Sequence, residues 1–102
     1  MSSLKGHRDV VLAPRARQDF IDILRYTGET WGEKQMMAYR DKIDEALRQL
    51  GGNFGIGHRR DDLPDTHLAY LVGSHLIIYR DQGTRVAVAR ILHQRMSIAR
   101  HL

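Results

Sequence analysis

Cysteine is absent from the 102-residue sequence, and this absence excludes disulfide bridges and thiolate zinc sites. It fits a reducing compartment, so we expect a cytoplasmic protein. No apolar run approaches the ~20 residues of a transmembrane helix. The apolar run at 10–13 stops at Pro14 and is too short for the core of a secretory signal. We therefore expect one globular domain, residues 1–102, that neither crosses nor binds a membrane.

Acidic residues are missing from the last part of the chain. Residues 82–102 contain four arginines and no aspartate or glutamate, whereas residues 1–81 contain 12 basic and 12 acidic residues. The net charge of +4 therefore lies in the C-terminal segment. A neutral body with a basic end indicates an anionic or acidic partner. Only three of the 16 basic residues are lysines, and the arginine guanidinium suits bidentate recognition of phosphate or carboxylate.

The first half of the chain has the pattern of a strand followed by two helices. The apolar run before Pro14 predicts a buried strand, and Pro14 is well placed to open a helix. Apolar positions then recur with helical spacing as far as Trp31. A second helical pattern begins at about Glu33 and stops at Gly51 and Gly52. Two amphipathic helices joined by a short glycine-containing link predict an antiparallel hairpin.

The second half predicts a loop and three strands. Residues 51–65 contain four glycines and a proline, so we expect a long loop whose charged cluster at 59–62 pairs internally. Extended patterns follow at 67–72, 75–80 and 85–93. The fold class is therefore α+β, in the order β-α-α-β-β-β. It places a helical hairpin on a mainly antiparallel sheet, with a short C-terminal helix that begins near Ser97.

The last predicted strand carries an arginine on an apolar face. Strict alternation places four residues on one face of this strand: Val86, Val88, Arg90 and Leu92. Both faces are mostly apolar, which predicts a central strand covered on two sides. Arg90 then needs an internal partner or an open cleft. Either it pairs with Asp61, Asp62 or Asp65, or it contacts a partner protein.

Three segments, VVLAPRARQDFIDILRYTGETWG, YRDKIDEALRQL and HLAYLVGSHLIIYRDQGTRVAVARILHQRMSIARHL, together resemble the ParE branch of the ParE/RelE superfamily. These proteins are the toxins of type II toxin–antitoxin systems. The resemblance spans residues 10–102, and its main features are the opening strand with Pro-x-Ala, the corner at Trp31 and Gly32, and the stretch at 90–95. It implies a small toxin neutralised by a co-encoded antitoxin, typically a ribbon–helix–helix ParD-like protein. ParE members inhibit DNA gyrase, whereas RelE members cleave mRNA in the ribosomal A site.

The gyrase hypothesis is non-enzymatic and assigns no catalytic residue, cofactor or metal. It predicts a hetero-oligomer with the antitoxin and no direct sequence-specific binding to DNA. The residues expected to bind the target are Arg90, His93, Arg95 and Arg100. The residues expected to bind the antitoxin are Met36, Tyr39, Arg80 and Arg85.

The alternative is a RelE-like ribosome-dependent mRNA endonuclease. It uses His93 as the base, with Arg90 and Arg80 as cations for the phosphate. The RelE pattern adds lysines on the sheet and a C-terminal tyrosine, but here every lysine precedes the predicted strand meander and the last tyrosine is Tyr79. The structural interpretation of His93 is a packing or capping residue, which is the commoner role of a histidine at the end of a strand. A third hypothesis is a degenerate toxin retained as an antitoxin partner and co-repressor.

Overall fold

The computed structural model describes residues 8–52 and 55–102. Asn53 and Phe54, in the predicted loop, lie outside the described residues. The elements in chain order are β1 (Asp9–Leu12), α1 (Pro14–Trp31), α2 (Glu33–Gly52), β2 (Leu68–Val72), β3 (His75–Asp81), β4 (Arg85–His93) and α3 (Ile98–His101). The sheet order is β1-β4-β3-β2, with β1 parallel to β4 and the other pairs antiparallel. This arrangement confirms the predicted α+β fold and its element order.

The helical hairpin forms because α1 has suitable residues at both of its ends. Pro14 occupies the start of α1, where a missing backbone N–H does no harm and a fixed φ favours the helix. Gly32 ends α1 with φ at 97°, a backbone conformation that glycine adopts at little cost. Its N–H donates to the carbonyl oxygen of Gly28. The chain therefore enters α2 at once, and the two helices lie side by side.

The second helix continues through Gly51 and Gly52, where the sequence predicted its end. Arg8 explains the extension, because it satisfies carbonyl groups of the last turn. The backbone N–H of Arg8 donates to the Gly51 oxygen at 2.8 Å, and its guanidinium donates to the Leu50 oxygen at 2.8 Å. The Arg8 side chain also forms a salt bridge with Asp81 at the end of β3. The helix terminus is thus held by a residue more than forty positions away in sequence.

Apolar side chains form one core on each face of the sheet. The larger core lies under the hairpin and includes Ala16 of α1, Ile43 of α2 and Val86 of β4. The smaller core on the opposite face includes Leu63 from the long loop and Ile98 from α3. The long loop and the C-terminal helix therefore cover part of the face that the hairpin leaves open. No helix in the described part of the chain has both the length and the apolar character needed to cross a membrane.

A β-bulge changes the faces of β4. Ile78 pairs with Arg90, but the next β3 residue, Tyr79, pairs with Val88, so Ala89 is an extra residue. Past the bulge the alternation shifts by one position. Ile91 consequently packs in the larger core with Val88, whereas Leu92 packs in the smaller one. The prediction that Val86, Val88, Arg90 and Leu92 share one face is therefore wrong beyond Val88.

Candidate functional site

Arg90 is held inside the protein by Asp19 of α1. Its Nε donates to one carboxylate oxygen of Asp19 and a terminal nitrogen donates to the other, both at 2.8 Å. Its second terminal nitrogen donates to the carbonyl oxygen of His101 in α3. The side chains of Arg90 and Asp19 are only 12% and 14% exposed. The hydrogen bonds from Arg90 to the Asp19 carboxylate hold the pKa of Arg90 above its ordinary value.

Asp19 also completes the edge of the sheet. The β1 strand ends at Leu12, opposite Val88, so the next part of β4 has no strand on that side. There the backbone N–H of Ile91 donates to the Asp19 carboxylate at 2.9 Å. The proposed pairing of Arg90 with Asp61, Asp62 or Asp65 is wrong, because the acid comes from α1. Every nitrogen of the Arg90 guanidinium has a partner inside the protein.

The exposed end of the chain combines positive charge with apolar side chains. We call the surface formed by Arg95, Met96, Arg100 and Leu102 the C-terminal surface. Both arginines are exposed, and Met96 and Leu102 are 40% and 44% exposed. No acidic residue follows Asp81, so the charge of this surface is not neutralised by its own segment. Two of the four predicted target-binding residues, Arg95 and Arg100, are therefore available to a partner.

His93 packs beside a second histidine that the sequence did not single out. It lies directly opposite His75 in the strand register, with ring centroids 5.3 Å apart and planes at 80°. His75 in turn contacts the Tyr39 hydroxyl through Nδ1 at 2.6 Å. Burial, followed by the neighbouring His93, lowers the pKa of His75 to about 4. His75 is therefore neutral near pH 7, and His93 packs at a strand end as one of the two interpretations expected.

These side chains form one wall of an open cleft of about 580 Å³. We call it the aromatic cleft and define it by Tyr26 and Trp31 of α1, Tyr39 and Lys42 of α2, and the His75–His93 pair. Tyr26 and Trp31 are 65% and 68% exposed, which is unusual for such large apolar rings. None of the described residues that line the cleft is an aspartate or a glutamate. The sequence alone does not reveal this site, because the histidines meet only through the strand register.

The three residues of the nuclease hypothesis do not meet at one point. His93 pairs with His75 at one end of β3, whereas Arg80 pairs with Ala87 five residues farther along that strand. Five strand residues span about 17 Å. Arg90 lies between these ends, but its guanidinium is engaged by Asp19 and His101. The static structure therefore separates the proposed base from the proposed phosphate-binding cations.

The expected antitoxin-binding residues lie on two faces of the sheet. Tyr39 contacts the β2–β3 turn on the hairpin side, where its hydroxyl accepts a hydrogen bond from the Ser74 N–H at 3.1 Å. Met36 lies within the hairpin, beside Gly28. Arg80 and Arg85 are exposed on the opposite face, because their strand neighbours Tyr79 and Val86 point into the larger core. A single partner can reach all four residues only by wrapping around the sheet.

The charged cluster of the long loop pairs internally, as predicted. Arg60 donates two hydrogen bonds to the Asp62 carboxylate, at 2.8 and 2.9 Å. Arg59 donates to the backbone oxygen of Asp65 at 2.9 Å. Within residues 8–52 and 55–102, no group of three histidine or carboxylate side chains has the geometry of a metal site. The long loop thus offers fewer free charges than its sequence suggests.

Comparison with known proteins identifies the family to which this chain belongs. The family model described as ParE toxin of type II toxin-antitoxin system, parDE, matches residues 10–98. Toxin ParE1 of Caulobacter vibrioides is 32% identical over 91 residues, which cover 89% of this chain and 94% of that protein. Toxin ParE1 of Mycobacterium tuberculosis is 31% identical over 93 residues, covering 90% of this chain and 95% of that protein.

Solved structures show the same fold. The chromosomal ParDE TA system from P. aeruginosa superimposes with a TM-score of 0.73 at 14% identity, covering 86% of this chain and 97% of that one. A YoeB dimer from Staphylococcus aureus gives a TM-score of 0.58 at 16% identity, with coverages of 85% and 97%. A YoeB–YefM complex from the same organism gives 0.52 at 16% identity, with coverages of 84% and 95%.

Proposed function

Because this chain belongs to the ParE toxin family of type II toxin–antitoxin systems, within the ParE/RelE superfamily, we propose that it inhibits DNA gyrase and is neutralised by a ParD-like antitoxin. The observation that carries the proposal is the family match over residues 10–98, nearly the whole described chain. ParE members act by binding gyrase, so the proposed activity is non-enzymatic. It takes place in the cytoplasm, where gyrase and DNA meet.

The C-terminal surface is the proposed contact with gyrase. Arg95 and Arg100 are exposed, and the exposed apolar residues Met96 and Leu102 lie within two positions of them in sequence. Arginine beside apolar groups is a frequent composition of binding hot spots. His93 helps to hold the backbone of this surface in place, since its Nδ1 accepts a hydrogen bond from the Arg95 N–H at 3.1 Å. Arg90 supports it indirectly by holding the carbonyl group of His101.

The opposite end of the sheet is a proposed antitoxin contact. Arg80 of β3 lies opposite Ala87 of β4, and Arg85 is two residues from Ala87 on the same face of the sheet. The two arginines are therefore diagonal neighbours on adjacent strands. A segment that contacts both these arginines and Tyr39 must extend along β3 for about 17 Å, or about five extended residues. It must also cross from one face of the sheet to the other. A wrapping antitoxin segment with acidic side chains meets both requirements.

Two double variants test both contacts, and each serves as the control for the other. Arg95→Ala/Arg100→Ala and Arg80→Ala/Arg85→Ala each remove two exposed arginines. The first should weaken gyrase inhibition about five- to thirtyfold, from losing about 1–2 kcal/mol of binding, and leave antitoxin affinity unchanged. The second should weaken antitoxin binding by a similar factor and spare gyrase inhibition. If gyrase inhibition is insensitive to the first pair, the target surface lies elsewhere.

The target itself is tested with one toxin preparation in two assays. Plasmid supercoiling by purified gyrase should be inhibited, with linear DNA accumulating, while mRNA on translating ribosomes remains intact. Cleaved mRNA with unaffected supercoiling would establish the nuclease alternative instead. His93→Ala separates the two further, because it should nearly abolish an acid–base nuclease and only weaken a binding toxin. Loss of both activities in the unmodified chain would support a degenerate toxin.

A further inference from the structure

The aromatic cleft has hydrogen-bond donors that neither proposed contact uses. The Arg95 N–H donates to His93 Nδ1 at 3.1 Å, so Nδ1 carries no proton in the neutral ring and Nε2 does. The His93 ring lines the cleft. In this tautomer Nε2 is a donor rather than an acceptor for a proton or metal.

The same reasoning applies to His75. The Tyr39 hydroxyl accepts the Ser74 N–H at 3.1 Å, and its own proton has two acceptors within reach. The His75 Nδ1 is 2.6 Å from the Tyr39 oxygen and the Val72 oxygen is 3.3 Å away. The shorter contact indicates that the Tyr39 hydroxyl donates its hydrogen bond to His75 Nδ1. Nδ1 is then an acceptor, and the proton of the neutral His75 ring lies on Nε2. With these hydrogen bonds, both neutral histidines donate from Nε2.

Lys42 adds a positive charge to these neutral donors. It lines the cleft from α2, on the same helix face as Tyr39 and Gln35. In the described part of the chain, the cleft lining contains no carboxylate to neutralise this charge. Neutral histidine donors, an ammonium group and a lining without acids are the composition of an anion site.

The other side of the cleft is suited to a planar ring. Tyr26 and Trp31 are mostly exposed at the end of α1 and line the same cleft. An exposed indole offers a stacking surface for a base, and such stacking is tolerant of base identity. The volume of about 580 Å³ lies within the range of small-ligand pockets. A ligand that carries a planar ring and an anion in one compact molecule would match both sides.

We propose that the aromatic cleft binds a nucleoside phosphate, with its base on Trp31 and its phosphate bound by Lys42 and the His93 N–H. The phosphate group satisfies the donors, and the base covers the exposed indole. The cleft shares Tyr39 with the proposed antitoxin contact, and its His93 is hydrogen-bonded to Arg95 of the C-terminal surface. Lys42 and Trp31, which would bind the phosphate and the base, belong to neither proposed contact. The ligand is either a free nucleotide or one residue of a single strand, which share this chemistry.

The single tryptophan of the chain reports on the site directly. Titration of the full-length protein with AMP should quench Trp31 fluorescence to saturation, whereas adenosine and inorganic phosphate should each bind at least about tenfold more weakly. A short single-stranded oligonucleotide, titrated in parallel, identifies the source of the ligand. Tighter binding of the oligonucleotide than of AMP indicates a strand, and equal or weaker binding indicates a free nucleotide.

Lysine variants on one helix supply the matched control. Lys42→Ala should weaken AMP binding about tenfold, because a charge-assisted contact to phosphate is lost. Lys34→Ala removes the same charge from an exposed position of α2 that does not line the cleft, and should leave binding unchanged. Circular dichroism melting confirms that both variants are folded. His93→Gln, read by the same fluorescence, should also weaken binding.

Three results would overturn the proposal. The first is unchanged Trp31 fluorescence with both AMP and the oligonucleotide at millimolar concentration. The second is undiminished quenching in Lys42→Ala, which would indicate ring stacking without an anion site. The third is binding of a peptide with aromatic and aspartate residues where nucleotides do not bind, which would assign the cleft to a protein partner.

Discussion

The Asp19–Arg90 pair provides the sharpest test of how this fold holds its C-terminal end. Asp19→Leu would leave the Arg90 guanidinium, 12% exposed, without its counter-ion. It would also orphan the Ile91 N–H at the sheet edge. Removing one partner of a largely buried pair costs about 3–5 kcal/mol. For a domain of this size, a loss of 3 kcal/mol lowers Tm by roughly 12–24 °C.

The double variant distinguishes an ion pair from two independent residues. Arg90→Met alone strands the Asp19 carboxylate and should cost about 3 kcal/mol. Asp19→Leu with Arg90→Met leaves no uncompensated charge, so it should cost about 2–3 kcal/mol less than the sum of the two single changes. Urea unfolding, followed by circular dichroism, measures all four proteins. Additivity within about 0.5 kcal/mol would refute the assignment of this pair as a coupled unit.

The same variants separate a structural role for Arg90 from direct contact with the target. If Arg90 acts through the fold, Asp19→Leu and Arg90→Met should reduce gyrase inhibition alike, in proportion to the loss of folded protein. If Arg90 itself contacts gyrase, Asp19→Leu frees the guanidinium and keeps activity at temperatures where the protein remains folded. Arg90→Met would then be inactive under the same conditions. The contrast requires both measurements on one preparation.

Three further changes test individual contacts. The pKa of His75 is about 4 in the folded protein, against an ordinary value of 6.5 in the unfolded chain. The free energy of unfolding should therefore fall as the pH drops from 6.5 to 4, by at most about 3 kcal/mol. Urea midpoints measured across this pH range should vary less for His75→Asn than for the unmodified protein. Gly57→Ala would place a Cβ against the Tyr79 hydroxyl and 2.8 Å from the Tyr79 Cζ. The free energy of unfolding should fall by about 1–3 kcal/mol, measured by thermal unfolding. Tyr79→Phe should restore part of this loss, because it removes the hydroxyl. Tyr39→Phe removes the acceptor of the Ser74 N–H and should cost about 1–2 kcal/mol in urea unfolding; an unchanged midpoint would show that water replaces the hydroxyl.

Local sequence patterns were sufficient to predict the elements of this fold. Pro14 begins α1 because a proline needs no N–H partner there, and this requirement is visible in the sequence. The bounds of β4 agree with the predicted 85–93, since turn residues precede the strand and its apolar content is high. The glycines at 51 and 52 predicted the end of α2 too early, because Arg8 donates hydrogen bonds to the carbonyl groups of the last turn from a distant position in the sequence. Local patterns predict where an element can end, and tertiary contacts decide whether it does.

The partner of Arg90 was beyond the reach of local patterns. The sequence offered nearby acids in the long loop, yet Asp19 is 71 positions away and reaches Arg90 because α1 crosses the unpaired edge of β4. The bulge at Ala89 is equally hidden, since no glycine or proline marks it. Once the bulge shifts the alternation, His93 faces the hairpin and meets His75. One inserted residue thus determines both the aromatic cleft and the position of Arg90.

The C-terminal arginines recur every fifth residue, but the fold does not give them one role. Arg85 lies on the face opposite the hairpin, at the end of the sheet far from His93. Arg90 is engaged inside the protein, and Arg95 and Arg100 are exposed on the C-terminal surface. A spacing of five would place successive side chains on opposite faces of a regular strand, but the bulge at Ala89 shifts the alternation by one position between Arg85 and Arg90. Of the four arginines that carry the +4 charge of the last segment, Arg90 is engaged inside the protein, Arg85 is the one proposed to contact the antitoxin, and Arg95 and Arg100 are the two proposed to contact the target.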